Sequence, residues 1–133
     1  MDLNKSYVKT DPALESNGVE VELEDGAVII VRPIRNPDFK RYLNKLHKPY
    51  ERKIQQKRMD QEVLDGLTRK AVAKHVLIGW KGITIDGKAV KYSPEKAEEL
   101  MIEFDEFQDD VLTAATARET FRQEIVEENE KNS

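Results

Sequence analysis

Few side chains in this sequence could carry out chemistry. Cysteine is absent, which excludes disulfides, thiolate nucleophiles and cysteine-ligated metals. The two histidines, His47 and His75, are far apart, and His75 lies among apolar residues, so it is interpreted as a helix residue at the edge of the core. No serine, histidine and aspartate have a spacing that supports nucleophilic catalysis, and the glycines match neither a P-loop nor a dinucleotide fingerprint. We therefore expect a protein that is not an enzyme and that needs no cofactor.

Acidic residues are the most abundant candidate metal ligands. Residues 95–110 contain eight aspartates and glutamates. They lack the alternating Asp/Asn order, the central glycine and the closing glutamate of a calcium loop. A solvated acidic helix face explains them better, so we expect no metal site.

Basic residues are concentrated in residues 32–58, which hold ten lysines and arginines against two acids. Phe39, Tyr42 and Tyr50 are interleaved with them, a combination that can bind nucleic acid. The aromatic residues nevertheless fall at the spacing of a helix core, so a solvated or protein-facing basic helix is favoured and nucleic-acid binding remains the alternative. The candidate protein-interaction cations are Lys40, Arg41, Lys45, Arg52 and Lys53.

Charge is distributed in blocks although the whole chain carries only −4. Residues 1–31 sum to −5, residues 32–58 to +8 and residues 95–130 to −10. Blocks of opposite sign favour oriented assembly. One hypothesis is therefore that the basic segment meets the acidic segment of a neighbouring copy, giving rings or open spirals.

Composition predicts the elements that must position these residues. With 38% hydrophobic and 36% charged residues, the chain should have a thin core. We predict a mostly α-helical α+β domain over residues 19–128, after a flexible arm (1–18) and before a disordered tail (129–133). The N-terminus lacks the apolar stretch of a secretory signal, and no apolar run is long enough to cross a membrane.

Two stretches near the N-terminus predict a β-hairpin. Residues 19–23 alternate apolar and acidic side chains, and residues 27–31 are β-branched and apolar. From Phe39 onward the apolar residues fall at the spacing of a helix. Pro49 should divide that region into two helical pieces.

A second long helix is predicted for residues 59–80. Asp60 is its expected N-cap and Gly79 its expected C-cap. Trp80, the single tryptophan, is interpreted as a core anchor where this helix meets the next hairpin.

That next hairpin is predicted from residues 83–85 and 89–92. Asp86 and Gly87 between them tolerate the positive φ angles of a tight turn.

The last helical region is predicted for residues 94–128. Ser93 is a good N-cap, and Pro94 suits the first helical position because its missing N–H has no intrahelical partner. Asp105-Glu106 is expected to break the region into two helices.

Residues 75–101, HVLIGWKGITIDGKAVKYSPEKAEELM, resemble the central block of the tail assembly chaperones of long-tailed bacteriophages. An apolar helix leads into a Gly-Trp-Lys-Gly turn at residues 79–82. A short strand and a glycine-containing turn follow at 83–88. A Tyr-Ser-Pro-Glu helix start at 92–95 then leads into an Ala-x-x-Leu-like run at 97–101. Gly79 and Gly82, which begin and end the first turn, are expected structural anchors together with Trp80, Asp86, Gly87, Ser93 and Pro94.

The resemblance implies a non-enzymatic role in tail morphogenesis. Such chaperones hold the tape measure protein in the host cytoplasm, recruit the major tail protein that forms the tube, and are absent from the mature virion. A longer form made by translational frameshifting is also implied. The chain departs from the pattern at Lys96, where many members have asparagine.

The resemblance also indicates which residues would contact a client. Apolar side chains of the C-terminal helices are the candidates, although each one taken singly could be an ordinary core residue. They are Phe104, Phe107, Val111 and Phe121. Two other functions stay open: a nucleic-acid-binding or regulatory phage protein that uses residues 32–58, and a head–tail joining subunit that remains in the particle.

Overall fold

The middle strand of the fold is β2 (Val28–Val31). It pairs antiparallel with β1 (Val19–Glu22) on one side and with β3 (Leu77–Lys81) on the other. The computed structural model that shows this sheet describes residues 1–122. Helices make up most of the remaining structure. The predicted α+β class and the N-terminal hairpin are therefore confirmed.

Alternation along β2 determines which side of the sheet becomes the core. Ile29 and Val31 are fully buried, as expected for β-branched residues at every second position of a strand. The register between β2 and β3 shifts between Ile30 and Val31. This irregularity lets Leu77 and Trp80, three residues apart, both be buried on β3.

The prediction of one helix over residues 59–80 is wrong for residues 76–80. Asp60 does cap α5 (Gln61–His75) by accepting the Glu62 N–H at 2.9 Å. The helix ends at His75, and the following residues form β3. Gly79 is therefore not a helix C-cap; it lies in β3 opposite Ile30.

Six further α-helices lie in the described residues. They are α1 (Leu3–Ser6), α2 (Pro12–Asn17), α3 (Pro37–His47), α4 (Glu51–Gln55), α6 (Pro94–Glu103) and α7 (Asp105–Thr116). A 3-10 turn that contains Pro49 separates α3 from α4, which confirms the predicted interruption. Helix α5 packs between α3 and α6, and α7 contacts both α6 and β2.

Asn36 joins the start of α3 to the end of α5. Its side-chain oxygen accepts the Phe39 N–H at 2.8 Å, which caps α3. Its amide nitrogen donates to the carbonyl oxygens of Pro33 at 2.7 Å and His75 at 3.0 Å. Asn36 is only 3% exposed, and these bonds satisfy the polar atoms that burial would otherwise leave unpaired.

The second predicted hairpin is confirmed but shorter than expected. It consists of β4 (Thr84–Ile85) and β5 (Lys88–Ala89), joined by Asp86 and Gly87. Both turn residues have positive φ, 52° and 78°, as a two-residue hairpin turn requires. The predicted strand over residues 89–92 stops after its first residue. The Val90 N–H still donates to the Ile83 carbonyl at 2.9 Å, while the Val90 carbonyl accepts from the Trp80 indole N–H.

The helix start at Ser93 and Pro94 is confirmed. Ser93 Oγ accepts the Lys96 N–H at 3.0 Å, and Pro94 occupies the first turn of α6. The break comes at Phe104, directly before the expected Asp105-Glu106.

The C-terminal helical region ends earlier than predicted. Helix α7 stops at Thr116, and residues 118–121 form a 3-10 turn, so the expected helix up to residue 128 is wrong over this part. Residues 123–128 of that helix and the tail 129–133 lie outside the described residues.

The segment expected to be an arm, residues 1–18, contains α1 and α2 and contacts the domain at two points. Thr10 forms a bridge with Arg122. The Glu15 backbone oxygen accepts from Arg32 Nε at 3.1 Å, and its carboxylate pairs with Arg35 at 3.5 Å. Within residues 1–122, no helix is both long and apolar enough to cross a membrane.

Candidate functional site

An open groove with an apolar floor lies where the end of α6 and the start of α7 approach the β1–β2 turn and β4. Its volume is about 490 Å³. The apolar residues that line it come from four separate parts of the chain. They are Leu23, Ala27, Ile83, Ile85, Leu100, Phe104 and Phe107. The fold therefore creates this groove from residues that are distant in sequence.

Phe104 is the most exposed aromatic side chain of the groove, because it occupies the junction of two helices. Its backbone is extended, with φ −123° and ψ 91°, so α6 ends here and α7 begins with a new direction. The Phe104 N–H donates to Leu100 O at 2.9 Å, which completes the last turn of α6. The side chain is 48% exposed. Ile102, two residues earlier, is 58% exposed but does not line the groove.

An acidic rim surrounds this floor. Glu24 and Asp25 come from the β1–β2 turn, and Glu106 and Asp110 from α7. A second groove of about 590 Å³ shares Leu23, Glu24, Glu106 and Asp110 with the first, and adds Glu22 and Asp109. We call the two together the acidic groove.

The potential of the acidic groove must be negative. Its lining includes six carboxylates and no lysine or arginine. In the part of the chain that the structure describes, none of the six belongs to an ion pair. A concave surface lined by charges of one sign concentrates their field and attracts cations.

The four predicted apolar contact residues separate into two pairs. Phe104 and Phe107 line the acidic groove. Val111 and Phe121 are fully buried and offer no surface to a partner, so their assignment as contact residues does not agree with this fold. Val111 lies on the side of α7 that packs on the sheet, and Phe121 is enclosed where its carbonyl accepts the Asp11 N–H at 2.9 Å.

The predicted basic surface lies on α3 and α4. All five of the named cations on these helices are exposed: Lys40, Arg41, Lys45, Arg52 and Lys53. The opposite side of α3 packs against α5 and core residues through Phe39, Tyr42, Leu43 and Leu46. The solvent-exposed side of α3 is therefore charged and has little apolar surface.

A smaller basic cavity has no counterpart in the sequence predictions. Arg35, Arg118 and Arg122 line it together with residues of the N-terminal segment, and its volume is about 330 Å³. Arg35 is partly neutralised by Glu15. The bridge between Thr10 and Arg122 creates the cavity, a contact between chain ends that no local pattern indicates.

His75 and Asp38 have shifted pKa values for structural reasons. The hydrogen bond from Arg32, with its guanidinium 3.0 Å from the carboxylate, holds the pKa of Asp38 below its usual value. Burial is the main cause that lowers the pKa of His75, whose ring packs edge-on against Tyr42 with centroids 5.2 Å apart. The interpretation of His75 as a core-edge residue therefore agrees with its position between α3 and α5.

Of the predicted anchors, Gly82 lines the groove, Asp86 and Gly87 form the exposed turn of the β4–β5 hairpin, and Trp80 lies behind Phe107. Trp80 is 9% exposed, and its indole N–H donates to the Val90 carbonyl at 2.8 Å. Its ring meets Phe107 edge-on, with centroids 6.4 Å apart. The tryptophan thus supports a groove residue from the inside.

Fold and site define a small, mostly helical α+β domain with an open, negatively charged groove. The chain belongs to the YdaY prophage protein family, whose model matches residues 34–132. The match includes residues 75–101, on which the resemblance to tail assembly chaperones depends, and it identifies a phage-associated protein. No curated protein and no solved structure matches the chain.

Proposed function

We propose that this protein is a tail assembly chaperone. It binds the tape measure protein in the host cytoplasm, recruits the major tail protein that forms the tube, and is released before the virion is complete. The resemblance of residues 75–101 and the membership of a prophage family support this role. The role requires neither catalysis nor a cofactor.

One observation carries the proposal: an open groove with an apolar floor in an otherwise highly charged chain. A holding chaperone must expose apolar surface to its client without aggregating itself. Phe104 supplies such surface, and the acidic rim keeps it hydrated and repels other copies of the same groove.

Co-expression with the tape measure protein of the same phage tests the role. We expect a several-fold rise in the soluble yield of the tape measure protein and its co-purification with the chaperone. An unrelated helical phage protein of similar length is the control client. If the tape measure protein stays insoluble and does not co-purify, the proposal is wrong.

Composition of purified virions is a second test. A chaperone should be absent from them, whereas a head–tail joining subunit should be present in a fixed number of copies. Detection of the chain in stoichiometric amount by mass spectrometry would therefore favour the joining subunit.

The exposed cations of α3 and α4 favour one alternative, a nucleic-acid-binding protein. Lys40, Lys45, Arg52 and Lys53 could each neutralise a phosphate. Binding to duplex DNA should then weaken steeply as salt rises, and substitution of these residues with glutamine should reduce the slope. Absence of DNA binding at low salt would eliminate this alternative.

A further inference from the structure

We propose that the acidic groove binds one side of an amphipathic helix whose apolar residues are flanked by lysine and arginine. This inference rests on the proposed chaperone role and adds the position of the client site and the chemistry of the client segment. Three features of the groove lead to it: its apolar floor, its acidic rim and the lack of a matching surface within residues 1–122 of the chain itself.

The groove can accommodate side chains of a client helix but not the whole helix. An α-helix with its side chains is about 10–12 Å across, so two turns of it occupy about 850 Å³ or more, which exceeds the groove volume of about 490 Å³. Apolar side chains spaced three and four residues apart on one side of a helix can enter such a groove while the backbone stays outside. Phe104 and Phe107 would contact them directly.

The rim selects the residues beside those apolar side chains. Glu24, Glu106 and Asp110 stand where the two grooves join, so a client side chain that leaves the floor meets carboxylates. Lysine and arginine can lay their aliphatic stems on apolar surface and extend the charged end to an acid. A client segment with glutamate at the same positions would be repelled.

A second copy of this chain matches the groove less well. Its basic segment has the correct charge, but the apolar side of α3 is already packed against α5. Docking of that segment would satisfy the rim and leave the floor without apolar partners. A client that provides both charge and an apolar ridge is therefore the better occupant.

Three synthetic helical peptides of about 20 residues, long enough to hold a helix, test the inference. The first has leucines at helical spacing with flanking lysines. The second has the same leucines with glutamates, and the third has the lysines with serine in place of leucine. We expect the first to bind at least tenfold more tightly than either of the others in fluorescence anisotropy. Equal affinity for the first and third peptides would overturn the inference.

Matched variants locate the binding site. Phe104→Asp should weaken binding of the first peptide about tenfold, whereas Ile102→Asp, at an equally exposed apolar position outside the groove, should leave it within about threefold. The double variant Glu106→Lys/Asp110→Lys keeps the floor and should reduce the preference for the lysine-flanked peptide over the glutamate-flanked one by about threefold or more, because four of the six groove carboxylates remain. Circular dichroism checks that each variant is folded, and equal loss with both aspartate variants would contradict the assigned site.

Co-expression of these variants with the tape measure protein distinguishes a failure of this inference from a failure of the proposed function. If the wild type and Phe104→Asp raise the soluble yield of the tape measure protein equally, the chaperone role stands and the groove assignment falls. If the lysine peptide binds but the tape measure protein is not held soluble, the groove stands and the role falls. If Phe104→Asp instead dissociates an oligomer of the chain in sedimentation experiments, the occupant is a second copy.

Discussion

Trp80 connects three segments of the fold: β3, the segment before α6, and α7. It touches two aromatic rings edge-on, Tyr92 with centroids 5.0 Å apart and Phe107 at 6.4 Å, and donates a hydrogen bond to Val90. The sequence predicts an anchor here because a lone tryptophan stands between two glycines. It could not predict the ring partners, since those come from the segment before α6 and from α7.

Replacing Trp80 with phenylalanine should lower the free energy of unfolding by about 1–3 kcal/mol. The Val90 carbonyl loses its donor and the core loses volume. Urea denaturation followed by circular dichroism measures the change, because the variant has no tryptophan fluorescence. Ile102→Ala, at a 58% exposed site, is the control and should cost under about 0.5 kcal/mol. Equal stability of Trp80→Phe and the wild type would contradict the anchor role.

Tyr92 should make stability depend on alkaline pH. Its hydroxyl lies 2.7 Å from the Leu77 carbonyl and 3.0 Å from that of Ala73, and it can donate to either. Burial, with a smaller contribution from Glu95, raises the pKa of Tyr92 from 10.0 to about 12. In the unfolded chain the proton is lost near pH 10, so the stabilisation is complete below that pH and is lost as the pH rises to about 12.

Comparison with Tyr92→Phe isolates this effect from the other groups that titrate there. The wild type should be the more stable protein at pH 8, and its advantage in denaturation midpoint should shrink steadily above pH 10. A constant difference between the two proteins across this range would show that Tyr92 is not the titrating group.

At the scale of elements, sequence patterns correctly predict the features that depend only on neighbouring residues. The N-caps Asp60 and Ser93, the interruption at Pro49 and the Asp86-Gly87 turn are all correct, because each depends on a few neighbouring residues. Strand β3 is not predicted, because it depends on residues that are distant in the sequence. Leu77 to Trp80 continue the apolar spacing of α5, and only pairing with β2, almost fifty residues earlier, makes them a strand.

A substitution at Gly79 distinguishes experimentally between a helix C-cap and a position in strand β3. As a helix C-cap it would have positive φ, and alanine there would cost about 1 kcal/mol or more. In β3 its φ is not positive, and an alanine Cβ would meet only the flexible end of Ile30, 3.1 Å away. Gly79→Ala should therefore cost less than about 1 kcal/mol in thermal or chemical denaturation.

Gly18 is the matched comparison. Its φ is 84°, and a Cβ would come within 2.8 Å of Ile78 and 3.3 Å of the Val31 backbone oxygen. Gly18→Ala should therefore cost more than Gly79→Ala, by about 1–3 kcal/mol. The reverse order of the two variants would argue against β3 as described.

At the scale of the whole molecule, the acidic groove shows the limit of sequence reasoning. Phe104 and Phe107 were named as contacts, and the acids of α7 were interpreted as a solvated face. Glu24 and Asp25 lie between the two predicted strands of the N-terminal hairpin, and no pattern in the sequence links them to α7. Their convergence with Glu106 depends on contacts about eighty residues apart in sequence, for which no periodic pattern exists.

Self-association remains a proposal that salt can test. If the cations of α3 and α4 meet acidic α6–α7 surface of another copy, raising salt from about 50 to about 500 mM should weaken association at least tenfold, since exposed ion pairs are screened. Sedimentation velocity measures this. Lys45→Glu/Lys53→Glu should dissociate the oligomer at low salt, and Lys5→Glu/Lys9→Glu, the same charge reversal at exposed lysines outside the α3–α4 and α6–α7 surfaces, is the control. If neither salt nor charge reversal changes the association, the electrostatic mechanism is wrong.

The order of strands in the sheet has a practical consequence. The family match begins at residue 34, after β1 and β2, yet those two strands complete the sheet that β3 joins. A recombinant fragment cut at the family boundary would expose the backbone N–H and C=O groups of β3 and uncover Leu77, a template for intermolecular strand pairing. We expect a fragment of residues 34–122 to aggregate, whereas one of residues 1–122 stays in solution; light scattering after matched purification would compare them. The family match and the three-stranded sheet thus begin at different residues, 34 and 19.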